Sequence, residues 1–456
     1  MTFSPQTLLN QLQRFPSPAG YQVAFSGGMD SHVLLHAMAG LRERLPASVG
    51  AVHVNHGLQA DAARWDAHSA TVCAELGLGY VALSVDARAG SGDSPEAAAR
   101  AARYAALAAW LPAGHCLLTA QHRDDQAETL LLQLLRGAGV HGLAAMPAYS
   151  LFGAGTRLRP LLDTARDALR AYAGRHRLAW VDDPSNFDTG FDRNYLRHRL
   201  LPVLHERWPA AVTSLARAAA HEGEAAVLLD EVAQRDLLAA AGAAANQLVL
   251  PSLAGLTAPR QRNAVRCWLR QLTGSAPSTA VLDRILRDVL ACRVDAEPRV
   301  CWDRFELRRY RDTLFLLRQM PSTDPAQVLP WSLTAPLALP AQGGVLSARQ
   351  RTGQGIRESA IGPAGVRVAW RRGGERCAPA GRGQHHALKK LFQEHGIPPW
   401  QRARIPLIYI DERIAAVAGL WVCEPFQAGP GEPGVQIQWD DPEPAPSACR
   451  FVRLGN

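Results

Sequence analysis

The chain has 456 residues, too many for one ordinary domain, and 47% of them are apolar, so two to four globular domains are expected and wholesale disorder is excluded. Lys and Arg number 49 against 41 Asp and Glu, a net charge of +8 that suits a polyanionic partner such as nucleic acid. No basic segment followed by an apolar stretch opens the chain, and no run of about 18 apolar residues occurs, so neither a signal peptide nor a membrane span is expected and the cytoplasm is the default. The eight cysteines are scattered, with no C-x-x-C and no zinc-finger spacing, which suits a reducing compartment. Cys116, within Cys116-Leu117-Leu118, reads as a core residue.

The first 150 residues alternate strand and helix signals. Tyr21 to Phe25 reads as a short buried strand that runs into a glycine-containing turn and an apolar helix, Ser31 to Leu45. Val49 to Val54 is a second strand, followed by a helix over Ala62 to Leu76, and Tyr80 to Val85 is a third. The next helix carries start signals in Asp93, Ser94, Pro95 and Glu96, and runs to about Trp110. His115 to Ala120 and Asp125 to Leu135 supply a fourth strand and helix. This βαβα rhythm predicts a doubly wound parallel sheet with helices on both faces and ligands beyond the carboxyl ends of its strands.

Arg166 to Arg177 predicts a further helix. A polar turn follows at Asp182 to Asp192, then an Arg-rich helix to about Leu201. Residues 1–208 are therefore expected as an α/β domain and 209–320 as a mainly helical one, with a hairpin from Phe305 to Tyr310 and Thr313 to Leu317. Pro321, Pro325, Pro330, Pro336 and Pro340 mark 321–345 as a linker. Residues 346–456 are expected as a small mixed α/β domain whose Pro- and Gly-rich tail, from Glu424, is flexible.

Ser26-Gly27-Gly28-Met29-Asp30-Ser31 falls between the first strand and its helix. At such a turn backbone N–H groups and the helix dipole face an incoming anion. The glycines permit positive φ and close approach of phosphate, and Ser26 and Ser31 add hydroxyls. Asp30 cannot favour phosphate by itself, so it is expected to orient Mg²⁺ or cap the helix. The string is neither G-x-x-x-x-G-K-[ST] nor G-x-G-x-x-G. It resembles the pyrophosphate loop of ATP pyrophosphatases, which implies ATP cleavage between the α and β phosphates.

Four other segments narrow the choice. They are His53-Val54-Asn55-His56-Gly57-Leu58; Ala99-Arg100-Ala101-Ala102-Arg103-Tyr104; Thr119 to Thr129 with its continuation Arg136-Gly137-Ala138-Gly139; and Asp182-Asp183-Pro184-Ser185-Asn186 with Arg193-Asn194-Tyr195-Leu196-Arg197. Together with the loop they make the chain resemble the tRNA(Ile)-lysidine synthase family over about residues 20–210 and again over 370–423. Gln121 departs from the family, which commonly has a second histidine before His122. The resemblance implies a tRNA-modifying ligase. ATP adenylates the wobble cytosine O2 of the CAU-anticodon isoleucine tRNA, pyrophosphate leaves, the side-chain amine of free lysine attacks C2, and AMP departs.

The residues suit that chemistry on their own terms. Lysine is cationic in water, so carboxylates must hold it and a base must take its proton. Asp125 and Glu128 are three apart, and Asp124 and Glu128 four apart, which puts them on one helix face. Acids in a first turn also serve simply to complement the helix dipole, and the choice of base among them stays open. His122 is placed for nucleotide contact or as a structural histidine; His53 and His56 carry the same two readings. Arg193 and Arg197 share a face beside Asn194. They suit either charge stabilisation on the nucleotide phosphates or pairing with nearby acids. Arg100 and Arg103 are candidates for nucleotide or tRNA contact.

From Gly365 to Arg413 there are ten Lys or Arg against four Asp or Glu. Arg371, Arg372, Lys389, Lys390, Arg402 and Arg404 are the candidate tRNA phosphate contacts; Lys389 and Lys390 are the only lysines in the chain. Phe392 and Trp400 read as core. The expected partners are ATP with Mg²⁺, free lysine and tRNA, and a homodimer stays open. A tRNA thiolase is the nearest rival, but that chemistry needs a reactive cysteine pair and no C-x-x-C is present. A non-catalytic RNA-binding protein that kept the loop is the rival from another class.

Overall fold

The computed structural model describes residues 2–55, 62–85, 95–181, 184–293, 296–319, 324–339, 344–363 and 365–440. His56 with Gly57 and Leu58, Asp93 with Ser94, Asp182 with Asp183, Pro321, Pro340 and Cys449 lie outside the described residues. The chain divides into two compact units, Met1–Leu229 and Asp230–Asn456.

In the first unit α1 (Pro5–Leu12) precedes β1 (Gly20–Ala24), α2 (Met29–Leu41), β2 (Ser48–Asn55), α3 (Ala62–Glu75), β3 (Gly79–Ser84), α4 (Pro95–Trp110), β4 (Cys116–Leu118) and α5 (Arg123–Leu135). A short α6 (Val140–Leu143) and the hairpin β5 (Tyr149–Phe152) and β6 (Gly155–Leu158) follow, then α7 (Arg166–Arg175), α8 (Asp192–Tyr195), a π-helical stretch over Leu196–Leu200, and α9 (Leu201–Arg207). The sheet order is β3-β2-β1-β4-β6-β5. Every pairing is parallel except β5 with β6. The expected sheet thus gains an antiparallel edge that the helix–strand rhythm did not announce.

Period-two alternation sorts the sheet's two faces. Tyr21 and Val23 of β1, with Cys116 and Leu118 of β4, pack against Leu34, Leu35 and Met38 of α2 and Leu169 and Tyr172 of α7. On the opposite face Val52 and Leu117 meet Leu107 and Leu111 of α4. Each fully buried leucine contributes roughly 1.5–3 kcal/mol. Because the chain leaves β1 toward β2 and later returns to its other side at β4, the strand order reverses between β1 and β4. Ligands of doubly wound sheets bind at such a switch point.

The unit boundary falls inside α10 (Ala211–Ala239). In the second unit come β7 (Gln247–Val249), α11 (Leu250–Ala254), α12 (Ala258–Thr273) and α13 (Thr279–Arg284), then β8 (Arg299–Trp302), β9 (Phe305–Tyr310) and β10 (Thr313–Arg318). The segment expected as mainly helical therefore also holds a four-stranded antiparallel sheet, β7-β10-β9-β8, in which the expected hairpin is the β9–β10 pair. Val265, Trp268 and Ile285 pack with Leu307 and Leu314 in its core.

The proline-spaced stretch does not form a free linker. It carries β11 (Val328–Trp331) and β12 (Leu337–Ala338). Pro330 pairs opposite Arg367 on β11, an edge strand, where a residue without an N–H is tolerated. The remaining elements are β13 (Val345–Thr352), β14 (Ile356–Arg357), β15 (Val366–Ala369), β16 (Arg376–Cys377), β17 (His386–Ala387), α14 (Leu388–Glu394), α15 (Pro399–Arg402), β18 (Leu407–Ile410), β19 (Arg413–Val417), β20 (Trp421–Val422) and β21 (Pro433–Asp440). Through Asp440 the expected flexible tail is also ordered: β21 pairs along the whole of β13.

Candidate active site

The Ser26–Ser31 loop leaves the carboxyl end of β1 and opens α2. Gly27 adopts φ +80°, a region L-residues with side chains rarely enter, and accepts the Val181 N–H on its carbonyl at 3.0 Å. Gly28 caps α2 and has no side chain with which to bond the first amides of the helix. The loop holds its own shape: Ser31 Oγ donates to the Gly28 carbonyl at 2.9 Å, accepts the Ser26 N–H at 3.2 Å and lies 3.0 Å from Ser26 Oγ. His53 is buried with Nδ1 2.8 Å from the Phe25 carbonyl, which makes it a brace at the loop's entry.

Across the switch point, β4 leads through Thr119 to His122, the N-cap of α5. Asp125 Oδ2 accepts the His122 N–H at 3.0 Å, closing a capping box. The His122 ring is buried among three carboxylates: Nε2 is 3.5 Å from Asp30 and 3.4 Å from Asp125, and Nδ1 is 3.6 Å from Asp124. Burial works against its charge, but Asp124 and Asp30, with the further charge of Asp125, outweigh burial and push the imidazole up to about 10. His122 thus ties the phosphate loop to the acidic helix. Its structural and nucleotide-facing readings merge at this position.

The candidate carboxylates take different parts. Asp124 accepts the Arg166 N–H at 3.0 Å and so caps α7. Burial raises its carboxyl, yet the His122 contact prevails and holds it below the ordinary value. Glu128 is fully buried and gripped by Arg197, whose Nε lies 2.7 Å from one oxygen and NH2 2.9 Å from the other. The same Arg197 Nη2 also donates to Asp125 Oδ1 at 3.2 Å. Arg193 Nε stands 3.3 Å from Glu128, and its NH2 donates to Thr129 Oγ1 at 2.7 Å. Burial raises the Glu128 carboxyl against the pull of Arg197. Burial likewise lowers Arg197, but Glu128 more than compensates and raises it.

Of the two sequence readings for Arg193 and Arg197, the structure realises pairing with acids. In that pairing both Glu128 oxygens are occupied by guanidinium groups. Arg197 sits in the π-helical stretch; such local unwinding is frequent at functional sites. The pairing spans 69 residues of sequence, so helix periodicity had no means of finding it. Asn194 donates to the Asp188 carbonyl at 2.9 Å.

Asp30 keeps one carboxylate oxygen, Oδ1, buried and without a hydrogen-bond donor. An orphaned acceptor at a phosphate loop fits a hard cation, since Mg²⁺ commonly takes one or two carboxylates together with substrate phosphates. Among the described residues no cluster of three or more His, Cys, Asp or Glu forms a metal cage.

The candidate tRNA contacts divide. Lys389 and Lys390 are exposed on α14, and Arg372 is exposed although tied to the Pro325 and Ala326 carbonyls. Arg371 is half-buried, 3.6 Å from Glu375. Arg402 and Arg404 do not face solvent, at 5% and 9% exposure. Arg402 donates to the Ile397 carbonyl at 2.7 Å and to Tyr310 Oη at 3.2 Å, so it is an internal strut rather than a phosphate contact. Phe392 is buried, and Trp400 is half-buried edge-on to Tyr310 and Phe315. Arg100 and Arg103 lie half-buried on the first turns of α4.

A strand, a Ser-Gly-Gly-Met-Asp-Ser loop and a helix at the switch point of a doubly wound sheet define an ATP-binding domain of the PP-loop class, and the PP-loop domain family matches residues 3–204. The TilS substrate binding domain matches residues 248–315, and the TilS substrate C-terminal domain matches 366–439. Relatives extend over nearly the full length. The tRNA(Ile)-lysidine synthase of Methylococcus capsulatus is 46% identical, with 92% of this chain and 96% of that protein covered. Those of Coxiella burnetii and Alkalilimnicola ehrlichii are 41% and 45% identical; the alignments cover 97% and 94% of this chain and 98% and 96% of the relatives. The chain belongs to the tRNA(Ile)-lysidine synthase family. No described helix is long and apolar enough to cross a membrane.

Proposed function

We propose that the chain adenylates the wobble cytidine of the CAU-anticodon isoleucine tRNA with ATP and joins that base to the side-chain amine of free lysine. The observation that carries this reading is the joining of the phosphate loop to an acidic helix through His122, at the sheet's ligand edge. The loop amides, with Ser26 and Ser31, bind the phosphates that leave as pyrophosphate. Asp30 holds Mg²⁺, which when bound neutralises triphosphate charge. Asp125 and Glu128 receive the lysine ammonium, and one of them takes the proton its amine must lose before attacking C2. The basic face of α14, with Arg371 and Arg372, contacts the tRNA away from the anticodon, and Arg100 and Arg103 contact it nearer the loop.

The closed Arg197–Glu128 pair implies an order. ATP phosphates draw Arg193 and Arg197 away from Glu128, and the carboxylates so released take the lysine cation. The test is incubation of the purified protein with ATP, Mg²⁺, labelled lysine and bulk tRNA. ATP-dependent label in RNA is the expected result. Label that is absent, or that does not require ATP, overturns the reading.

A further inference from the structure

β6 runs Gly155-Thr156-Arg157-Leu158 and continues into Arg159. Leu158 points into the core shared with α2 and α7. By alternation Arg157 and Arg159 face the other side of the sheet. That face is apolar elsewhere: Leu117, directly beside Arg157 on β4, packs with Val52, Leu107 and Leu111. Two arginines in such a place need a reason.

Among the described residues their polar surroundings are carbonyls, a hydroxyl and the Tyr104 phenol. Arg159 is 4% exposed; it donates to the Pro147 carbonyl at 2.6 Å, and its Nε has no acceptor. The Arg157 guanidinium lies 5.3 Å from the Tyr104 ring and 5.2 Å from that of Phe152, reaches Ser150 Oγ at 3.3 Å, and likewise has an unsatisfied Nε. Arg100 covers Tyr104 at 5.3 Å, and Arg103 adds a fourth cation beside it. Among the described residues no carboxylate pairs with Arg100, Arg157 or Arg159. A buried charge without a partner is strongly disfavoured, and a fold keeps one where a ligand completes it. Burial, then the charge of Arg157, lowers Arg159 to about 10. Burial raises the Tyr104 phenol, but the surrounding arginines prevail and draw it below its ordinary value.

From this geometry we infer that Arg157 and Arg159, with Arg100 and Tyr104, form a binding site for a backbone phosphodiester of the RNA substrate. Arg159 follows the carboxyl end of β6, on the same sheet edge as the phosphate loop. Two strand spacings separate β6 from β1, about 10 Å. The loop's own amides serve the ATP phosphates, so a second anion two strands away suits a polyanion lying along the edge. This inference rests on tRNA being the substrate.

The test compares wild type with R157Q and R159M. Binding of a CAU-anticodon tRNA transcript is followed against salt concentration, and ATP binding is measured without tRNA by calorimetry. Both variants are expected to keep the wild-type unfolding temperature and ATP affinity. Their tRNA affinity falls roughly fivefold to tenfold, and the slope of log K against log salt loses about 0.7–0.9 per contact removed. An unchanged tRNA slope overturns the inference. Weakened ATP binding with tRNA binding intact also overturns it, by assigning the anion to the nucleotide. If R159M unfolds, that arginine is a strut and the slope of the half-buried R157Q decides alone. Failure of the wild type to bind tRNA would instead break the functional reading on which the inference stands.

Discussion

Two groups of buried charge in the first unit solve the same problem in opposite ways. Around α5 opposite charges meet: Glu128 stands beside Arg197 and Arg193, and His122 beside Asp30, Asp124 and Asp125. Around β6, among the described residues, Arg157 and Arg159 have ring faces, a carbonyl and a hydroxyl but no carboxylate. Paired charge is stable as it stands and must be released before it can serve a substrate. Unpaired charge costs stability until the ligand arrives. One cluster is therefore a site to be opened, and the other a site to be filled.

Four experiments break or sharpen this contrast. The largest effect is expected where a buried pair is split. R197M should destabilise the first unit by about 3–5 kcal/mol in denaturant unfolding, because Glu128 loses its bidentate partner and is left buried with Arg193 alone, at 3.3 Å. R159M should leave stability unchanged or raise it, since it removes a charge that no carboxylate answers. Equal losses in the two variants would erase the distinction. Next comes Asp30→Ala: lysine incorporation should fall by roughly 10²–10³ or more, with a smaller loss of stability than R197M, because a phosphate-site charge is lost while the buried His122 keeps Asp124 and Asp125. Wild-type incorporation would remove Asp30 from the mechanism.

A smaller effect concerns the proposed order of binding. A non-hydrolysable ATP analogue should tighten lysine binding by roughly 5–150-fold, since phosphates compete with Glu128 for Arg197. The reverse measurement must show the same factor, and independent affinities would leave the arginine exchange without support. The smallest effect belongs to the second unit. Lys389→Ala with Lys390→Ala should weaken tRNA binding and lower the salt slope by about 1–2, because both lysines are exposed and each contact releases roughly one counterion. An unchanged slope would make this face an ordinary basic surface.

What the sequence disclosed follows from how local each signal is. The phosphate loop, its flanking strand and helix, and the first turn of α5 are contiguous, so type and spacing identified them. The hairpin of β5 and β6 escaped notice because its strands are four residues each. Its turn, Gly153-Ala154 with Gly153 at φ +55°, was the signal available. With it went Arg157 and Arg159. The grip of Arg197 on Glu128 joins segments distant in sequence, which helix periodicity does not sense. Arg402 misled for a related reason: its partners are Tyr310 and the Ile397 carbonyl, and only the fold brings them to a guanidinium.

The central claim is that a carbon–nitrogen bond to lysine is made on an adenylated cytosine. Nucleoside mass spectrometry of CAU-anticodon isoleucine tRNA, after incubation with the protein, ATP, Mg²⁺ and lysine, tests it most directly. The account predicts a wobble cytidine carrying one lysine, with one pyrophosphate and one AMP released per modified tRNA, and no change when lysine is withheld. An unmodified cytidine despite bound tRNA and ATP turnover, or a base that gains another group when lysine is absent, would contradict it.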